Sequence, residues 1–131
     1  MASFSIASFN LNGLNQREDM ARHICDTLDV NVIFIQESWL TADLYYKLCN
    51  INADFIMFGI SVMAGAVTKG PLTGRPFGGL ATFIHNKYKN YIVNHICSER
   101  LSIISIGNVA LVNVYLPSVT NADSSMLFRI Y

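Results

Sequence analysis

Apolar and β-branched residues occur in short runs near the start of the chain, and a helical pattern separates two of these runs. Alternation over residues 4–9 predicts a strand, and the run over residues 30–35 is typical of a strand covered on both faces by parallel packing. Between them, Met20, Ile24 and Leu28 are spaced four residues apart and predict the buried face of a helix. The chain therefore opens as strand, helix and strand.

Short polar residues mark the predicted starts of two helices. Asn15 or a neighbour is expected to cap the first helix and Thr41 the second, because side-chain oxygens of Asn and Thr accept hydrogen bonds from the free amides of a first turn. The second helix is short, and we expect it to turn three residues inward: Leu44, Tyr45 and Leu48.

The rest of the chain predicts mostly β-structure around a Gly/Pro-rich loop at residues 63–77. The pair Gly107-Asn108 is of the kind that closes a two-residue hairpin. After Pro117, Asn121 or Asp123 begins another predicted helix. Strands are expected at residues 55–60, 80–85, 91–97, 101–106 and 109–115.

The composition limits the kind of domain that the chain forms. Its 131 residues are 52% hydrophobic and only 14% charged, whereas a charged share of about 25% is usual. A domain of this length buries about two-thirds of the surface of its unfolded chain, so the excess of apolar side chains suits part of a larger core. Together with a predicted helix that reaches the last residue, this leads us to expect an incomplete domain over residues 1–131.

Charge and cysteine content exclude several classes of protein. The net charge of zero argues against a broad nucleic-acid-binding face, because such faces are strongly basic. Three widely spaced cysteines indicate neither a disulfide framework nor a zinc site. No signal-peptide pattern opens the chain, and Gly107 and Pro117 interrupt the uncharged stretch at residues 101–122. We expect an intracellular protein, nuclear or cytoplasmic, with no membrane partner.

Polar residues lie at the ends of three predicted strands, at one shared structural address: Asn10, Gln36-Glu37 and Tyr115. Ligands of open α/β sheets bind at the carboxyl ends of strands, but Asn10 alone is equally explained as a turn residue and Tyr115 as an edge aromatic. Glu37 is more informative, since a carboxylate at the edge of an apolar strand must be paired, hydrogen-bonded or bound to a cation. Magnesium often uses only one or two protein carboxylates. Glu37 is therefore the candidate start of a magnesium site.

Four segments resemble, in order, the motifs of the endonuclease/exonuclease/phosphatase family. They are residues 8–14 (SFNLNGL), 35–40 (IQESWL), 78–84 (GGLATFI) and 113–117 (NVYLP). Residues 59–63 (GISVM) and 74–79 (GRPFGG) look more particularly like the endonuclease of non-LTR retrotransposons. The resemblance implies the N-terminal half of a four-layered α/β-sandwich, with one main sheet and flanking helices, ending after the Tyr-x-Pro motif.

The resemblance also implies a hydrolase that uses Mg²⁺, with Mn²⁺ as an alternative, to nick DNA before reverse transcription. Under it, Glu37 ligates the metal, Asn10 supports the metal and the scissile phosphate, and Tyr115 hydrogen-bonds a phosphate oxygen. Asn12 is a weaker candidate beside the same metal. Arg75 is a candidate for contact with the DNA backbone, although a solvated loop arginine explains it equally well.

The chain departs from the family in its later motifs. The Gly-Asp-Phe-Asn-like segment and the terminal Ser-Asp-His are absent, and none of the three histidines follows an aspartate. We therefore expect this chain alone to lack the general base that activates water, and to need a missing C-terminal half or self-association. Two alternatives stay open: another phosphoesterase of the superfamily, acting on abasic sites or on lipid or inositol phosphates, and a non-catalytic relic or fragment that needs a partner.

Overall fold

The computed structural model describes residues 3–39, 46–60, 79–98 and 100–116, and the statements below refer to these residues. They form seven strands, two helices and one 3₁₀ segment. In chain order the elements are β1 (Ile6–Asn10), α1 (Leu14–Thr27), β2 (Val32–Gln36), α2 (Tyr46–Cys49), β3 (Phe55–Ile60), β4 (Leu80–His85), the 3₁₀ segment (Asn86–Tyr91), β5 (Ile92–Cys97), β6 (Leu101–Ile106) and β7 (Val109–Val114).

The first sheet contains four strands in the order β1-β2-β4-β3. β1 and β2 are parallel and are connected through α1, while β4 is antiparallel to both of its neighbours. The two central strands are buried on both faces, as the β-branched run of β2 predicts. The strand, helix, strand opening of the chain is confirmed.

The second sheet contains three antiparallel strands in the order β5-β6-β7. β6 and β7 form a hairpin whose turn is Gly107-Asn108, as the sequence predicts. Gly107 has a φ of 56°, in the left-handed region that a glycine adopts without a Cβ clash. The pairing runs from Ile106 with Val109 at the turn to Leu101 with Val114 at the open end.

The two sheets pack face to face around one apolar cluster. Val32 and Ile84 of the first sheet are buried against Ile104, Ile106 and Leu111 of the second. The α/β fold class is confirmed, and a main sheet of four strands packs against a second sheet of three. Alternate residues of β6 and β7 are buried toward the first sheet, and most of them are apolar, with Ser102 and Asn113 as the polar exceptions.

The helix α1 covers the other face of the first sheet, with a buried stripe that differs from the predicted one. Ala21, Ile24 and Cys25 are buried, whereas Met20 is 50% exposed and Leu28 is 40% exposed. Contact with the sheet selects the i, i+3, i+4 stripe of residues 21, 24 and 25. Of the predicted stripe, only Ile24 faces the core, and the inward assignment of Met20 and Leu28 is wrong.

The start of α1 also differs from the prediction. The helix begins at Leu14, so Asn15 lies inside its first turn, and the capping position is Gly13, which makes no side-chain cap. Arg17 has φ −138°, outside the helical region, and marks a kink near the start. The predicted cap at Asn15 is wrong, because the tight turn after β1 starts the helix earlier.

Several predicted features lie outside the described residues. They are the cap at Thr41, the inward positions of Leu44 and Tyr45, the loop at residues 63–77 with Arg75, and the helix after Asn121 or Asp123. Within the described residues, no helix is long and apolar enough to cross a membrane.

The outer face of the second sheet exposes apolar side chains. Ile96 is 57% exposed, and Val112 and Val114 are 45% and 44% exposed. A contiguous exposed apolar surface is typical of an interaction site. The expected missing half or self-association stays a prediction.

We predict that Ile104→Ala destabilises the fold by about 2–5 kcal/mol, because it opens a cavity where the two sheets meet. Ile104 is 0% exposed. The matched control is Ile96→Ala on the outer face, where surface substitutions usually change stability by about 0.5 kcal/mol or less. Urea unfolding followed by circular dichroism measures both variants. Equal losses in the two variants would contradict the inter-sheet core.

Candidate functional site

The carboxyl ends of β1, β2 and β7 meet at one edge of the two sheets, which we call the rim. Asn10 is the register partner of Gln36 in the parallel pair, so these two residues share a face. Gln36 donates a hydrogen bond to Asn113 of β7, with 2.7 Å between Nε2 and Oδ1. The face that carries Asn10 is therefore the one directed at the second sheet, and Tyr115 follows β7 at the same edge.

Backbone hydrogen bonds fasten the segment after β1 to the segment after β2. The Leu11 amide donates to the Gln36 carbonyl and the Gly13 amide to the Glu37 carbonyl, each at 2.8 Å. The Ser38 amide donates to the Gly79 carbonyl, just before β4, at 3.3 Å. Glu37 therefore lies on a braced backbone between two neighbouring strands.

Three residues other than glycine at the rim have left-handed backbones. The φ angles of Asn12 and Glu37 are 54°, and that of Trp39 is 53°. Asn tolerates this region, but it is uncommon for Glu and Trp. Strained backbone persists where the surrounding structure enforces it, and it is frequent at functional sites.

The left-handed backbone at Glu37 has a geometric consequence. Consecutive residues of a regular strand point to opposite faces, yet Gln36 and Glu37 both interact with residues of the second-sheet chain segment, Asn113 and Tyr115. The change of φ at Glu37 interrupts the alternation. It turns the carboxylate toward Tyr115 instead of toward α1.

The pKa of Tyr115 is shifted by burial and by contact with Glu37. Burial raises this pKa above its ordinary value, and hydrogen bonding with the Glu37 carboxylate and its negative charge raise it further. The positive charge of Arg100 opposes the shift. Tyr115 also donates its backbone amide to the Arg100 carbonyl at 3.0 Å. The rim thus brings together an acidic, a phenolic and a basic side chain.

Asn10 and Asn12 form the third part of the rim. The Asn12 backbone amide donates to Asn10 Oδ1 at 3.2 Å. Both side chains are exposed, so the Asn10 Nδ2 group is open to a ligand. The structure thus places Asn10, Asn12, Glu37 and Tyr115 at one edge. Arg75 lies outside the described residues, and the functional roles of all five stay predictions.

Two residues at the site, Asn113 and Arg100, were not predicted from the sequence. Asn113 carried a signal, since it is a polar residue at an alternate position of an otherwise apolar strand. Arg100 carried none, because a charged residue in a tight turn is usually solvated. Only the approach of the β5–β6 turn to Tyr115 reveals it.

The oxygen atoms of the rim are of the type that magnesium prefers, but they are few. Among the described residues, no cluster of three His, Cys, Asp or Glu side chains exists. Glu37 supplies one carboxylate and Asn10 an amide. The Ser38 hydroxyl, buried directly after Glu37, has no hydrogen-bond partner within this part of the chain. This set fits a metal that keeps water and phosphate as its other ligands, and it does not fit zinc.

A separate cavity of about 510 Å³ lies at the opposite end of the sheets. Its walls are aromatic and apolar, and Phe4 and Tyr88 lie 4.8 Å apart between ring centroids. It contains no acidic residue and none of the rim residues. The cavity therefore does not contribute to the rim chemistry.

Several solved structures have a similar fold. A 3′ phosphatase, NExo, from Neisseria, bound to a product DNA hairpin, superposes with a TM-score of 0.62 and 14% identity over 86% of this chain. The AP endonuclease LMAP from Leishmania major gives 0.60 and 14% over 87%. An AP endonuclease from Archaeoglobus fulgidus gives 0.57 and 14% over 88%.

These similarities show the fold. The chain has the α/β architecture of endonuclease/exonuclease/phosphatase-like proteins, and it spans 41%, 40% and 42% of the lengths of the three structures. No protein-family model matches the sequence, and no curated protein matches it.

We predict that Gly13→Ala disrupts the rim. Gly13 has a φ of 101°, and a Cβ at this position would lie 2.6 Å from Cε3 of Trp39. The matched control is Gly107→Ala, where φ is 56° and no atom lies within 4 Å, so the loss there is limited to about 1–2 kcal/mol of backbone strain. Thermal unfolding should show the larger loss for Gly13→Ala. An equal loss in both would contradict the close contact with Trp39.

We also predict that Glu37→Gln lowers the pKa of Tyr115. The substitution removes the negative charge and leaves burial as the main cause of the shift. Because burial and then Glu37 raise the folded-state pKa, the fold is favoured with Tyr115 protonated, below the ordinary tyrosine pKa of about 10, and this contribution is lost as pH rises through the folded value. A pH titration by NMR of ¹³Cζ-labelled tyrosine measures it, with Tyr115→Phe assigning the signal. An unchanged pKa in Glu37→Gln would exclude the contact.

Proposed function

We propose that the rim is the phosphate-binding part of a magnesium-dependent site that hydrolyses phosphodiester bonds in DNA. The observation that supports this most strongly is the Glu37 carboxylate. It is half-buried at a strand end, held on a left-handed backbone and interacting with Tyr115. A carboxylate whose placement imposes strain has a use that simple solvation does not explain.

Each rim residue has a role in this proposal. Glu37 would hold Mg²⁺ or Mn²⁺, and such an ion, when bound, polarises the phosphate and stabilises charge on the leaving oxygen. The Tyr115 hydroxyl, which donates to Glu37 in this structure, would turn to donate its one proton to a phosphate oxygen when the carboxylate binds the ion. Asn10 offers amide donors for the same phosphate, and Asn12 lies beside it. Arg100 adds a positive charge next to Tyr115.

The finer proposal is target-site nicking by an endonuclease of the non-LTR retrotransposon type. It is supported by the sequence segments at residues 59–63 and 74–79, and in it Arg75 contacts the DNA backbone. An enzyme of this kind acts inside the cell, in the nucleus or cytoplasm. A small electrostatic site of this type also agrees with the net charge of zero.

A second candidate is cleavage at abasic sites or removal of a 3′ phosphate. The similar structures are named as AP endonucleases and as a 3′ phosphatase bound to a product DNA hairpin. In this proposal both reactions would use the same phosphate-binding rim. The substrate distinguishes them, since one requires intact DNA and the other a damaged or terminal site.

In this proposal the general base comes from a partner segment, either a C-terminal half or a second copy. We expect no cleavage of supercoiled plasmid or abasic duplex above background by the 131-residue chain alone. Complementation with the C-terminal part of a related endonuclease should give cleavage. Glu37→Gln should then lower its rate by about a hundredfold or more and Tyr115→Phe by less, because a metal ligand stabilises more transition-state charge than one hydrogen bond.

Matched controls separate the rim from general effects of substitution. Asp29→Asn and Tyr91→Phe change the same chemical groups at exposed positions away from the rim and should leave the rate unchanged. Binding of Mn²⁺ is tested on the chain itself by paramagnetic broadening of NMR signals around Glu37, with weaker than micromolar affinity expected. Broadening that survives Glu37→Gln, or equal cleavage by wild type and Glu37→Gln, would refute the proposed site.

A further inference from the structure

Asn113 is a fully buried amide at the junction of the two sheets. It belongs to β7 and is 1% exposed. Its Nδ2 atom donates to the carbonyl of Ala81 at 3.0 Å and to that of Ile35 at 3.3 Å, with the Thr82 hydroxyl at 3.4 Å. Backbone carbonyls only accept hydrogen bonds, so they fix which end of the amide is the nitrogen. The Oδ1 atom is thereby directed at Gln36.

Gln36 extends this connection to a third strand. Its Nε2 atom donates to Asn113 Oδ1 at 2.7 Å and to Ser8 Oγ at 3.1 Å. Both hydrogens of the Gln36 amide are therefore used. One side chain links β1 and β2 of the first sheet to β7 of the second.

These two amides lie one step inside the rim. Gln36 directly precedes Glu37, and Asn113 lies two residues before Tyr115 on the same strand face. Apolar packing between sheets is non-directional, whereas the hydrogen bond from Gln36 to Asn113 fixes the position of the end of β7 relative to the end of β2. That relative position decides whether the Tyr115 hydroxyl reaches the Glu37 carboxylate.

We infer that Gln36 and Asn113 are positioning residues that hold Glu37 against Tyr115. Their meaning for catalysis rests on the proposed function, but the positioning itself does not. The simpler alternative is that Asn113 only satisfies two buried carbonyls and stabilises the fold. The two readings differ in one measurable quantity, the energetic coupling between Glu37 and Tyr115.

The test is a double-mutant cycle of Glu37→Gln and Tyr115→Phe, measured by urea unfolding of the full chain. Each substitution changes the equilibrium constant of unfolding by some factor. The coupling factor is the factor for the double variant divided by the product of the factors for the two single variants. The cycle is then repeated in Gln36→Met and in Asn113→Leu. Gln36→Met is the milder change, because Gln36 is half-buried and the carbonyl contacts of Asn113 remain. It keeps the test decisive if Asn113→Leu does not fold.

We expect a coupling factor clearly different from one in the wild-type background and a factor close to one in both amide variants. Ile104→Val is the matched control: it loosens the same inter-sheet core from β6 and should leave the coupling unchanged. Coupling that persists in Gln36→Met, or that Ile104→Val abolishes equally, would overturn the inference, as would no coupling in the wild type. No metal or DNA is used, so failure of Mn²⁺ binding or cleavage refutes the proposed function while this result stands.

Discussion

The hydrogen bonds of the Asn113 side chain are the constraint on which the arrangement of the two sheets depends. Burial of Val32, Ile84 and Ile104 supplies the general attraction between the sheets. This attraction is non-directional, so it distinguishes between alternative registers less sharply than hydrogen bonds do. A buried amide that lost its partners would cost about 1–3 kcal/mol for each unsatisfied group. The amide therefore selects the one register in which all its partners are present.

The register between the two sheets determines which side chains meet at the rim. Glu37 leaves β2 on a left-handed backbone, and the Gly13 amide holds its carbonyl at 2.8 Å. Gly13 itself leaves room for the Trp39 ring. The strain at Glu37 and Trp39 is thus offset by hydrogen bonds and packing from neighbouring segments.

The electrostatics of the rim suit a small ligand group better than an extended polyanion. Glu37, Tyr115 and Arg100 combine one negative charge, one protonated phenol and one positive charge. The net charge of the whole chain is zero. The proposed ligand, a single phosphate with a divalent cation, needs no broad basic face, whereas binding along many phosphates does. The similarity of fold to AP endonucleases and a 3′ phosphatase, at 14% identity, supports the architecture of the chain. It does not bear on the chemistry of the rim.

The sequence alone determined the features that depend on neighbouring residues. The bounds of β4, the hairpin at Gly107-Asn108 and the position of Glu37 at a strand end all follow from local periodicity and turn chemistry. For α1, the spacing of Met20 and Leu28 suggested burial, but contact with the sheet selected Ala21 and Cys25 instead. Local spacing shows that a helix has an apolar face. Only packing against the sheet decides which residues are buried.

Only the tertiary structure decided what joins at the rim. Asn113 and Gln36 are 77 residues apart in sequence, and Arg100 approaches Tyr115 from a turn that the sequence marks as ordinary. The presence of a second sheet packed on the first likewise follows from contacts between distant strands. Hydrogen bonds and charge interactions depend on distance in space, so no pattern along the chain specifies which polar residues become partners. The sequence predicted that Asn10, Glu37 and Tyr115 lie together at the carboxyl ends of strands, and only the packing of the two sheets decided which side chains become their partners.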